Sequence, residues 1–386
     1  MESTIHPIEL FPLGEKNPVD RETGFSLSQQ LLQEFVRLRY ADENSDDAKY
    51  YIDQAINYFS SGIKVDWRTA GLVYYYSFLN FAKAYLIAKK ATFSDFEFTF
   101  DSVKSSGLYH GLYSPKQTTE SILDFEIEIY PPRSNSNGNY NIFSLFYNNI
   151  IAEWPYESAI KVKLKEILPY CHDITGELYD LYGLRPRVIS LISLIRGNEE
   201  QVWFEVLASN ESIDSTSSPA AIFAEEMGDW ITDTVEFKDF NNTIKDDWQT
   251  TYKISPKSAA GKTIFQGGNV VVKDGDITSA MMELQSNVME VFKDYCYPMP
   301  YIAREQRWLF IPKIELEGQK IPWHPLLSDY LLSFALSDIL RYHPYMIMDN
   351  TEDQHISEAW CNQSALTVLR NLLMFFTNPP LRISRV

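Results

Sequence analysis

Apolar side chains surround almost the whole circumference of one predicted helix, DWRTAGLVYYYSFLNFAKAYLIAKK, which runs from Asp66 to Lys90. Asp66 is a favourable N-cap, because its carboxylate can accept from the free backbone N–H groups of the first turn. Lys89 and Lys90 supply the positive charge that a helix C-terminus prefers. A helix that is apolar on nearly every side needs several neighbours to cover it, so this one is predicted to be central. The segment is too aromatic and too often polar to span a membrane.

Further helical patterns occur at both ends of the chain. Apolar stripes predict helices at residues 26–40 and 47–60, which would form an antiparallel module with the central helix. Segments 326–349 and 355–378 carry apolar faces that are too broad for helices lying free on a surface. The predicted division is an N-terminal arm at residues 1–25, a helical module at 26–92, a mixed α/β middle region at 93–320 and a C-terminal helical region at 321–386.

In the middle region, the spacing of apolar residues changes from that of helices to that of strands. FEFTF (96–100), LDFEIEIY (123–130) and QVWFEVLAS (201–209) alternate apolar and polar residues, which is the period of a half-buried strand. Helical ends that flank a mixed middle are typical of an α+β fold, and we expect the two ends to pack together around that middle. The other predicted elements are helices at 142–153, 157–168, 184–195 and near 220–232, and strands at 248–254, 268–273 and 307–316.

Composition and charge indicate a folded protein and limit the kinds of partner that it can bind. A chain of 386 residues with 45% hydrophobic and 14% aromatic residues can build a large core. The net charge of −18 opposes nucleic acid as the main partner and opposes adsorption to anionic membranes. The three cysteines are scattered, which favours a reducing compartment over a disulfide framework. The N-terminus lacks the pattern of a signal peptide, so we expect a soluble cytoplasmic protein that is not an integral membrane protein.

Two segments carry a family resemblance. YYIDQAINYFSSGIKVDWRTAGLVYYYSFLNFAKAYLIAKK (50–90) resembles the N-terminal portion of the YaaC-like family, whose second helix has a "YY…L.N..KA.L" pattern. LLSDYLLSFALSDILRYHPYMIM (326–348) is similar to that family's "YL…F.LS…RY.P" segment. The resemblance implies a bacterial protein of a largely uncharacterised family. Some of its members are encoded in anti-phage immunity loci and work beside a partner protein. The family offers no established catalytic motif to carry over.

The helix at 66–90 also resembles the core helix of HEPN modules, which often contains a "YYA.F..AKA.L" run. Catalytic members of that class cut RNA with an Arg and a later His that are separated by four to six residues. No His in this chain follows an Arg at that distance, and Arg341 and His343 are too close together. The resemblance therefore implies a related helical module without nuclease activity.

Motifs for nucleotide or metal chemistry are incomplete. SPKSAAGKT (255–263) ends like a phosphate-binding loop, but Pro256 stands where the motif needs its first glycine. Asp124, Glu126 and Glu128 project from one face of a predicted strand and could hold a divalent metal. A solvated strand face is the simpler interpretation of these three carboxylates. We therefore predict no metal site and no cofactor.

Candidate ligand-binding residues come from a loop and from two helices. Gly107 and Gly111 flank Tyr109 and His110, so the backbone there could approach a ligand, although an ordinary connecting loop has the same composition. Arg341 ends a buried-looking helix and could pair with a nearby acid or with helix carbonyls. Alternatively, it could line an anion-binding pocket between the helical ends together with Lys83. The candidate ligand-binding residues are Lys83, Tyr109, His110 and Arg341.

Aromatic residues near the C-terminal region suggest a partner interface. Trp308 and Trp323 occur with Pro322 and Pro325, and rigid aromatic side chains are enriched at interface hot spots. Burial of both tryptophans in the core is the alternative. With Tyr342, these residues form the candidate partner interface.

Three functions stay open at this stage. The first is a non-enzymatic anti-phage defence component that senses an infection-derived protein, lipid or other ligand and acts through a partner protein, such as a co-encoded effector. The second is an enzyme acting on a nucleotide, lipid or nucleic acid through a site assembled from distant residues. The third is a structural homo-oligomer.

Overall fold

The computed structural model describes residues 45–62, 64–93, 96–99, 108–117, 121–133, 140–171, 174–209, 218–236, 262–292, 295–298, 307–348 and 350–361. The predicted arm, the predicted helix at 26–40, the predicted strand at 248–254 and the part of the predicted helix at 355–378 beyond residue 361 lie outside this range. The internal contacts divide the described residues into two compact units. Residues up to 186 and from 313 onward form the helical unit, and residues 187–312 form the sheet unit.

The described residues of the first part of the helical unit form five helices and seven short strands. The helices are α1 (Ser45–Gly62), α2 (Trp67–Ala88), α3 (Ile142–Ile150), α4 (Leu164–Ile167) and α5 (Thr175–Tyr182). The strands are β1 (Thr92–Phe93), β2 (Phe96–Glu97), β3 (Leu108–Tyr109), β4 (Leu112–Tyr113), β5 (Glu126–Ile129), β6 (Tyr140–Asn141) and β7 (Ile160–Lys163), with 3-10 turns at Ile122–Asp124 and Leu168–Tyr170. These strands make a β1–β2 pair, a parallel β3–β6 pair and a β4–β5–β7 sheet.

The described residues of the sheet unit form one antiparallel sheet with two helices. The elements are β8 (Ile189–Gly197), β9 (Gln201–Ser209), α6 (Pro219–Met227), β10 (Ile231–Glu236), β11 (Lys262–Val271), α7 (Ile277–Phe292), β12 (Cys296–Pro298) and β13 (Arg307–Phe310). The strand order in the sheet is β10–β11–β9–β8–β13–β12. The chain then returns to the helical unit with β14 (Ile314–Leu316), β15 (Gln319–Ile321), α8 (Pro325–Tyr342), α9 (Tyr345–Met348) and α10 (Thr351–Ala359).

Helix α2 is the centre of the helical unit, as its apolar circumference predicts. Asp66 caps it by accepting a hydrogen bond from the backbone N–H of Arg68. On one side Ser77 donates to the carbonyl of Ala55 in α1 over 2.8 Å. On another side α8 packs against it, and the rings of Phe78 and Tyr330 stack with centroids 6.2 Å apart. The N- and C-terminal helices therefore pack together, and the predicted α+β fold is confirmed.

A glycine permits the close approach of α2 and α8. A β-carbon at Gly71 would lie 3.1 Å from Cδ1 of Leu340 and 3.3 Å from Cβ of Leu336. These separations are tighter than ordinary van der Waals contact, so a larger side chain at this position would push α8 away from α2. Both helices carry candidate ligand-binding residues, so this crossing sets the distance between those residues.

The core of the sheet unit lies between the sheet and its two helices. Along β9, Val202, Phe204 and Val206 alternate with residues of the opposite face, and all three belong to this core. Phe223 of α6 and Phe292 of α7 pack there with stacked rings, their centroids 6.2 Å apart. None of the helices in the described residues is long and apolar enough to cross a membrane.

Two predicted helices are wrong, and two helices, α5 and α7, were not predicted. The segment at 157–168 forms strand β7 and only one helical turn, because buried Ile160, Val162 and Leu164 alternate with lysines. The segment at 184–195 instead contains most of β8, a run rich in β-branched isoleucine that pairs with both β9 and β13. Helix α7 follows helical spacing through Ala280, Leu284 and Val288, which the sequence interpretation overlooked.

Candidate functional site

A group of aromatic and polar side chains gathers where α8 packs against α2. Tyr75 of α2 lies edge-on to Phe334 of α8, with ring centroids 5.6 Å apart. The loop between β3 and β4 brings His110 to the same place, 5.6 Å from Phe334 and 6.2 Å from Tyr75 between ring centroids. Tyr330, two turns from Ser337 on α8, lies 6.3 Å from Tyr75 on the same measure. We call Tyr75, His110, Tyr330, Ser337 and Arg341 the α2–α8 site.

The backbone of its loop fixes the orientation of His110. The N–H of Leu112 donates to Nδ1 of His110 over 3.2 Å. Nδ1 is therefore an acceptor, and the neutral ring carries its proton on Nε2. Burial lowers the pKa of His110, and the positive charge of Arg341 lowers it further. The residue thus offers a neutral N–H donor at neutral pH, and that donor has no hydrogen-bond partner among the described residues.

Gly111 is required for this loop geometry. Its φ is +79°, and a β-carbon there would lie 2.7 Å from Cβ of Asn141. Gly111→Ala is expected to lower the free energy of unfolding by about 2–3 kcal/mol, because it adds left-handed strain and a steric clash. Gly183→Ala is the matched control, since Gly183 has a φ of +66° and nothing within 4 Å of an added β-carbon. Denaturant unfolding should show a clearly smaller loss for the control; equal losses would contradict the steric part of this prediction.

Arg341 lies near the end of α8, and its positive charge acts on His110 and Tyr75. Its Nε donates to the carbonyl of Ser337 over 2.8 Å, and its guanidinium carbon lies 4.9 Å from the ring centroid of Tyr342. Burial raises the pKa of the Tyr75 hydroxyl, and the charge of Arg341 partly opposes that rise. Among the described residues Arg341 makes no ion pair, so its two terminal nitrogens are available to a ligand.

Lys83 adds a second, more distant cation. Its ammonium lies 5.5 Å from the ring centroid of Tyr51, and burial lowers the pKa of this lysine. The charge of Lys83 also lowers the pKa of His110, but less than that of Arg341 does. Lys83 makes no ion pair within the part of the chain that the structure describes. The environment of His110 is therefore positively charged in a chain whose net charge is −18.

Two fully buried hydroxyls complete the α2–α8 site. Tyr330 and Ser337 are both 0% exposed, and their hydroxyl oxygens have no hydrogen-bond partner among the described residues. Burial raises the pKa of Tyr330 far above its ordinary value, and the nearby Tyr75 hydroxyl adds to this. A buried hydroxyl without a partner costs stability, so the two hydroxyls on one face of α8 are unusual features of this core.

The comparison with protein families decides the affiliation of the chain. A family model described as YaaC-like Protein matches residues 25–376. The chain belongs to the YaaC-like family. This match confirms the resemblance that the segments at 50–90 and 326–348 indicate. No curated protein and no solved structure matches the chain.

Three of the four predicted ligand-binding residues come together in this YaaC-like protein. Lys83, His110 and Arg341 are close enough for the two cations to act on the imidazole. Tyr109 is 52% exposed, and the structure does not join it to the other three. The sequence interpretation missed Tyr75, Tyr330 and Ser337. Ser337 and Tyr330 lie four and eleven residues before Arg341, and this helical spacing of polar groups on an otherwise apolar helix was the available signal.

The predicted partner-interface residues lie in three different settings. Trp323 is fully buried and donates from Nε1 to Oγ of Ser328 over 2.8 Å, which corresponds to the core alternative. Tyr342 is 63% exposed. Trp308 contributes its backbone to β13, while its side chain lies outside what the structure describes.

The acidic stripe of this YaaC-like protein is occupied by ion pairs. Glu126 accepts from the ammonium of Lys161 over 2.6 Å, and Asp124 lies 2.9 Å from that of Lys165. The contact of Glu126 follows from the pairing of β5 with β7, whereas Asp124 and Lys165 lie in the turn before β5 and in the helix after β7. Both carboxylates are thus engaged by lysines, which corresponds to the solvated alternative. The described residues contain no group of three His, Cys, Asp or Glu side chains that could hold a metal ion.

The segment that resembles a phosphate-binding loop does not lead into a helix. Lys262 and Thr263, which would be its last two residues, begin strand β11 and pair with β9. A phosphate-binding loop needs a helix N-terminus at that point, because the backbone N–H groups of the helix hold the phosphates. This part of the chain therefore provides no nucleotide site of that type.

Proposed function

We propose that this YaaC-like protein is a non-enzymatic component of anti-phage defence that senses a ligand at the α2–α8 site and acts through a partner protein. The ligand-sensing part is carried by one observation: among the described residues, the site gathers hydroxyls and an imidazole N–H without hydrogen-bond partners and a guanidinium without an ion pair. The proposed role in anti-phage defence rests on the family resemblance. The net charge of −18 supports a ligand smaller than a nucleic acid.

The tautomer of His110 favours binding over catalysis. A general base must accept a proton on the nitrogen that faces the substrate. Here Nδ1 accepts from the backbone of Leu112, so Nε2 already carries the proton. The charges that act on the imidazole are the cations Arg341 and Lys83, whereas a catalytic histidine is usually oriented by a carboxylate. His110 is thus suited to donate a hydrogen bond to a ligand.

Exposed side chains near Arg341 support the partner part of the proposal. Tyr342, Tyr345 and Met348 are 63%, 45% and 62% exposed, although each has a large apolar portion. They follow Arg341 directly along the end of α8 and the short helix α9. Tyrosine and methionine are enriched in the centres of protein interfaces, so a ligand that engages Arg341 would bind next to this surface.

An infection experiment with matched arginine variants tests the proposal. Cells producing the tagged full-length protein would be challenged with phage, and plaque formation and co-captured protein would be measured for wild type, Arg341→Met and Arg68→Met. Arg68 is the control because its guanidinium also lies over an aromatic ring, that of Trp67 at 4.5 Å, but it is already paired with Asp66. We expect Arg341→Met to lose protection and infection-dependent capture, while Arg68→Met keeps both.

Three results would contradict the proposal. Equal protection by Arg341→Met and wild type, at equal amounts of folded protein, would show that protection does not depend on the α2–α8 site. Protection without any co-captured protein would show that the protein acts without a partner. Conversion of the captured ligand into a product by the purified protein would instead establish the enzyme alternative.

A further inference from the structure

We infer that the α2–α8 site binds the anionic oxygens of a carboxylate or a phosphate, between the guanidinium of Arg341 and the Nε2–H of His110. This inference rests on the proposed function in one respect, since it names the chemical class of the sensed ligand. Its physical basis is separate: it follows from which hydrogen-bonding groups in the site have no partner.

Arg341 presents the geometry that such an anion needs. Its Nε is engaged by the carbonyl of Ser337, which fixes the guanidinium at the end of α8. The guanidinium also stacks on Tyr342, which holds its plane. The two terminal nitrogens are then the free edge, and that edge binds two oxygens of one carboxylate or phosphate side by side. Because Arg341 is exposed, a ligand can reach this edge from solvent.

The other groups of the site can donate as well. The neutral imidazole of His110 offers Nε2–H, and the hydroxyl of the buried residue Tyr75 makes no hydrogen bond to any described residue. Neither of the charged residues that act on His110 is an acid. Hydroxyls can donate or accept, but the charged groups are cations and the free imidazole nitrogen is a donor, so the site favours an acceptor-rich anion over a cation.

The buried hydroxyls supply an observation that does not depend on charge. Tyr330 and Ser337 lie at 0% exposure on the face of α8 that leads to Arg341, and both lack hydrogen-bond partners among the described residues. Natural cores rarely leave such groups unpaired, and an anion held by Arg341 would provide an acceptor for Ser337, one helical turn away. Tyr330 lies next to Tyr75, which in turn contacts the ring of His110.

The cations of the α2–α8 site stand out against the negative net charge of the chain. A chain with a net charge of −18 repels small anions in general, so adventitious anion binding is disfavoured over most of the surface. Arg341 and Lys83 reverse the sign locally, and the partial burial of Lys83 strengthens its field at the site. Lys83 lies farther away and would steer the anion or contact a distal group of a longer ligand.

The test uses the full-length protein with inorganic phosphate and with acetate as separate probes, at constant ionic strength set with sodium chloride. Binding is followed through the imidazole resonances of His110 by NMR. We expect at least one probe to shift these resonances and to raise the pKa of His110, since an anion stabilises the protonated ring. Arg341→Met should weaken that binding by roughly tenfold or more, while Arg68→Met should leave it unchanged. Tyr75→Phe, which keeps the ring contacts, should weaken it by a smaller factor.

The two probes distinguish the sources of the anionic group. A response to phosphate alone supports a phosphorylated ligand, and a response to acetate alone supports a carboxylate. No response of His110 to either probe, or equal binding by Arg341→Met and wild type, would overturn the inference. Anion binding that depends on Arg341, combined with unchanged phage protection in Arg341→Met, would keep the inference and overturn the proposed function. If Arg341→Met loses phage protection but the wild-type protein binds neither anion, the inference is overturned and the proposed function is kept.

Discussion

Acidification from about pH 6.5 to about pH 3 is expected to remove roughly 5 kcal/mol of stability through His324 alone. Complete burial lowers the pKa of this histidine to about 3. In the unfolded chain its pKa returns to the ordinary value of 6.5. Between these two values the unfolded state binds more protons than the folded state, so the free energy of unfolding falls as the pH falls. Above the unfolded pKa this contribution to stability is fully present.

The matched variant for this prediction is His324→Asn. His324 is the N-cap of α8, and its Nδ1 accepts from the backbone N–H of Leu326 over 3.1 Å. Asparagine is a good N-cap that cannot titrate, so it keeps the acceptor and removes the protonation. The free energy of unfolding of both proteins is measured by denaturant unfolding over this pH range. In the difference between the two curves, the contributions from protonation of carboxylates largely cancel. A wild-type curve parallel to that of the variant would contradict the prediction, because it would show that His324 takes up its proton at the same pH in the folded and unfolded states.

The same capping residue connects stability with the candidate site. Helix α8 carries Tyr330, Ser337 and Arg341, and it starts at His324. Protonation at the N-terminus of the helix would place a positive charge at the positive end of its dipole as well as in the core. Loss of the α2–α8 site on acidification is therefore expected to accompany the loss of stability.

The helical framework was predictable because its signals are local. The segment at 66–90 is apolar on all sides, and only a central position satisfies such a helix. Residues 326–342 show the same property, so the packing of these two helices follows from the absence of any other way to cover them. Lys83 and Arg341 stood out as cations on apolar helices, and His110 stood out because glycines flank it.

The errors lie where a local pattern supports two structures. The ISLISLIRG run of β8 is apolar and short, and only its pairing with β9 and β13 makes it a strand. The lysines of β7 alternate with apolar residues, but their partners Asp124 and Glu126 come from a segment more than thirty residues earlier. Tyr75 and Tyr330 look like ordinary core aromatics in the sequence. Their role depends on the hydroxyl environment, which only the packed structure defines.

Asp353→Ala is expected to lower the free energy of unfolding by about 4 kcal/mol. The carboxylate of Asp353 is fully buried in α10 and joins two other segments. Its Oδ2 accepts from the backbone N–H of Ile122 over 3.3 Å, and its Oδ1 accepts from the hydroxyl of Tyr182. Alanine would leave the N–H of the buried Ile122 and the hydroxyl of the half-buried Tyr182 without this acceptor, and each such loss costs roughly 1–3 kcal/mol.

The matched variant Asp353→Asn separates the hydrogen bonds from the charge. Its oxygen can still accept from Ile122 and its amide can donate to the Tyr182 hydroxyl, so the loss at neutral pH should stay within about 1 kcal/mol. Burial raises the pKa of Asp353 above its ordinary value, so the folded state binds more protons than the unfolded state between these two values. Wild-type stability should therefore rise relative to Asp353→Asn as the pH is lowered through that window. Equal losses for Asp353→Ala and Asp353→Asn in denaturant unfolding would instead show that the negative charge, and not the pair of buried acceptors, holds Ile122 and Tyr182 to α10.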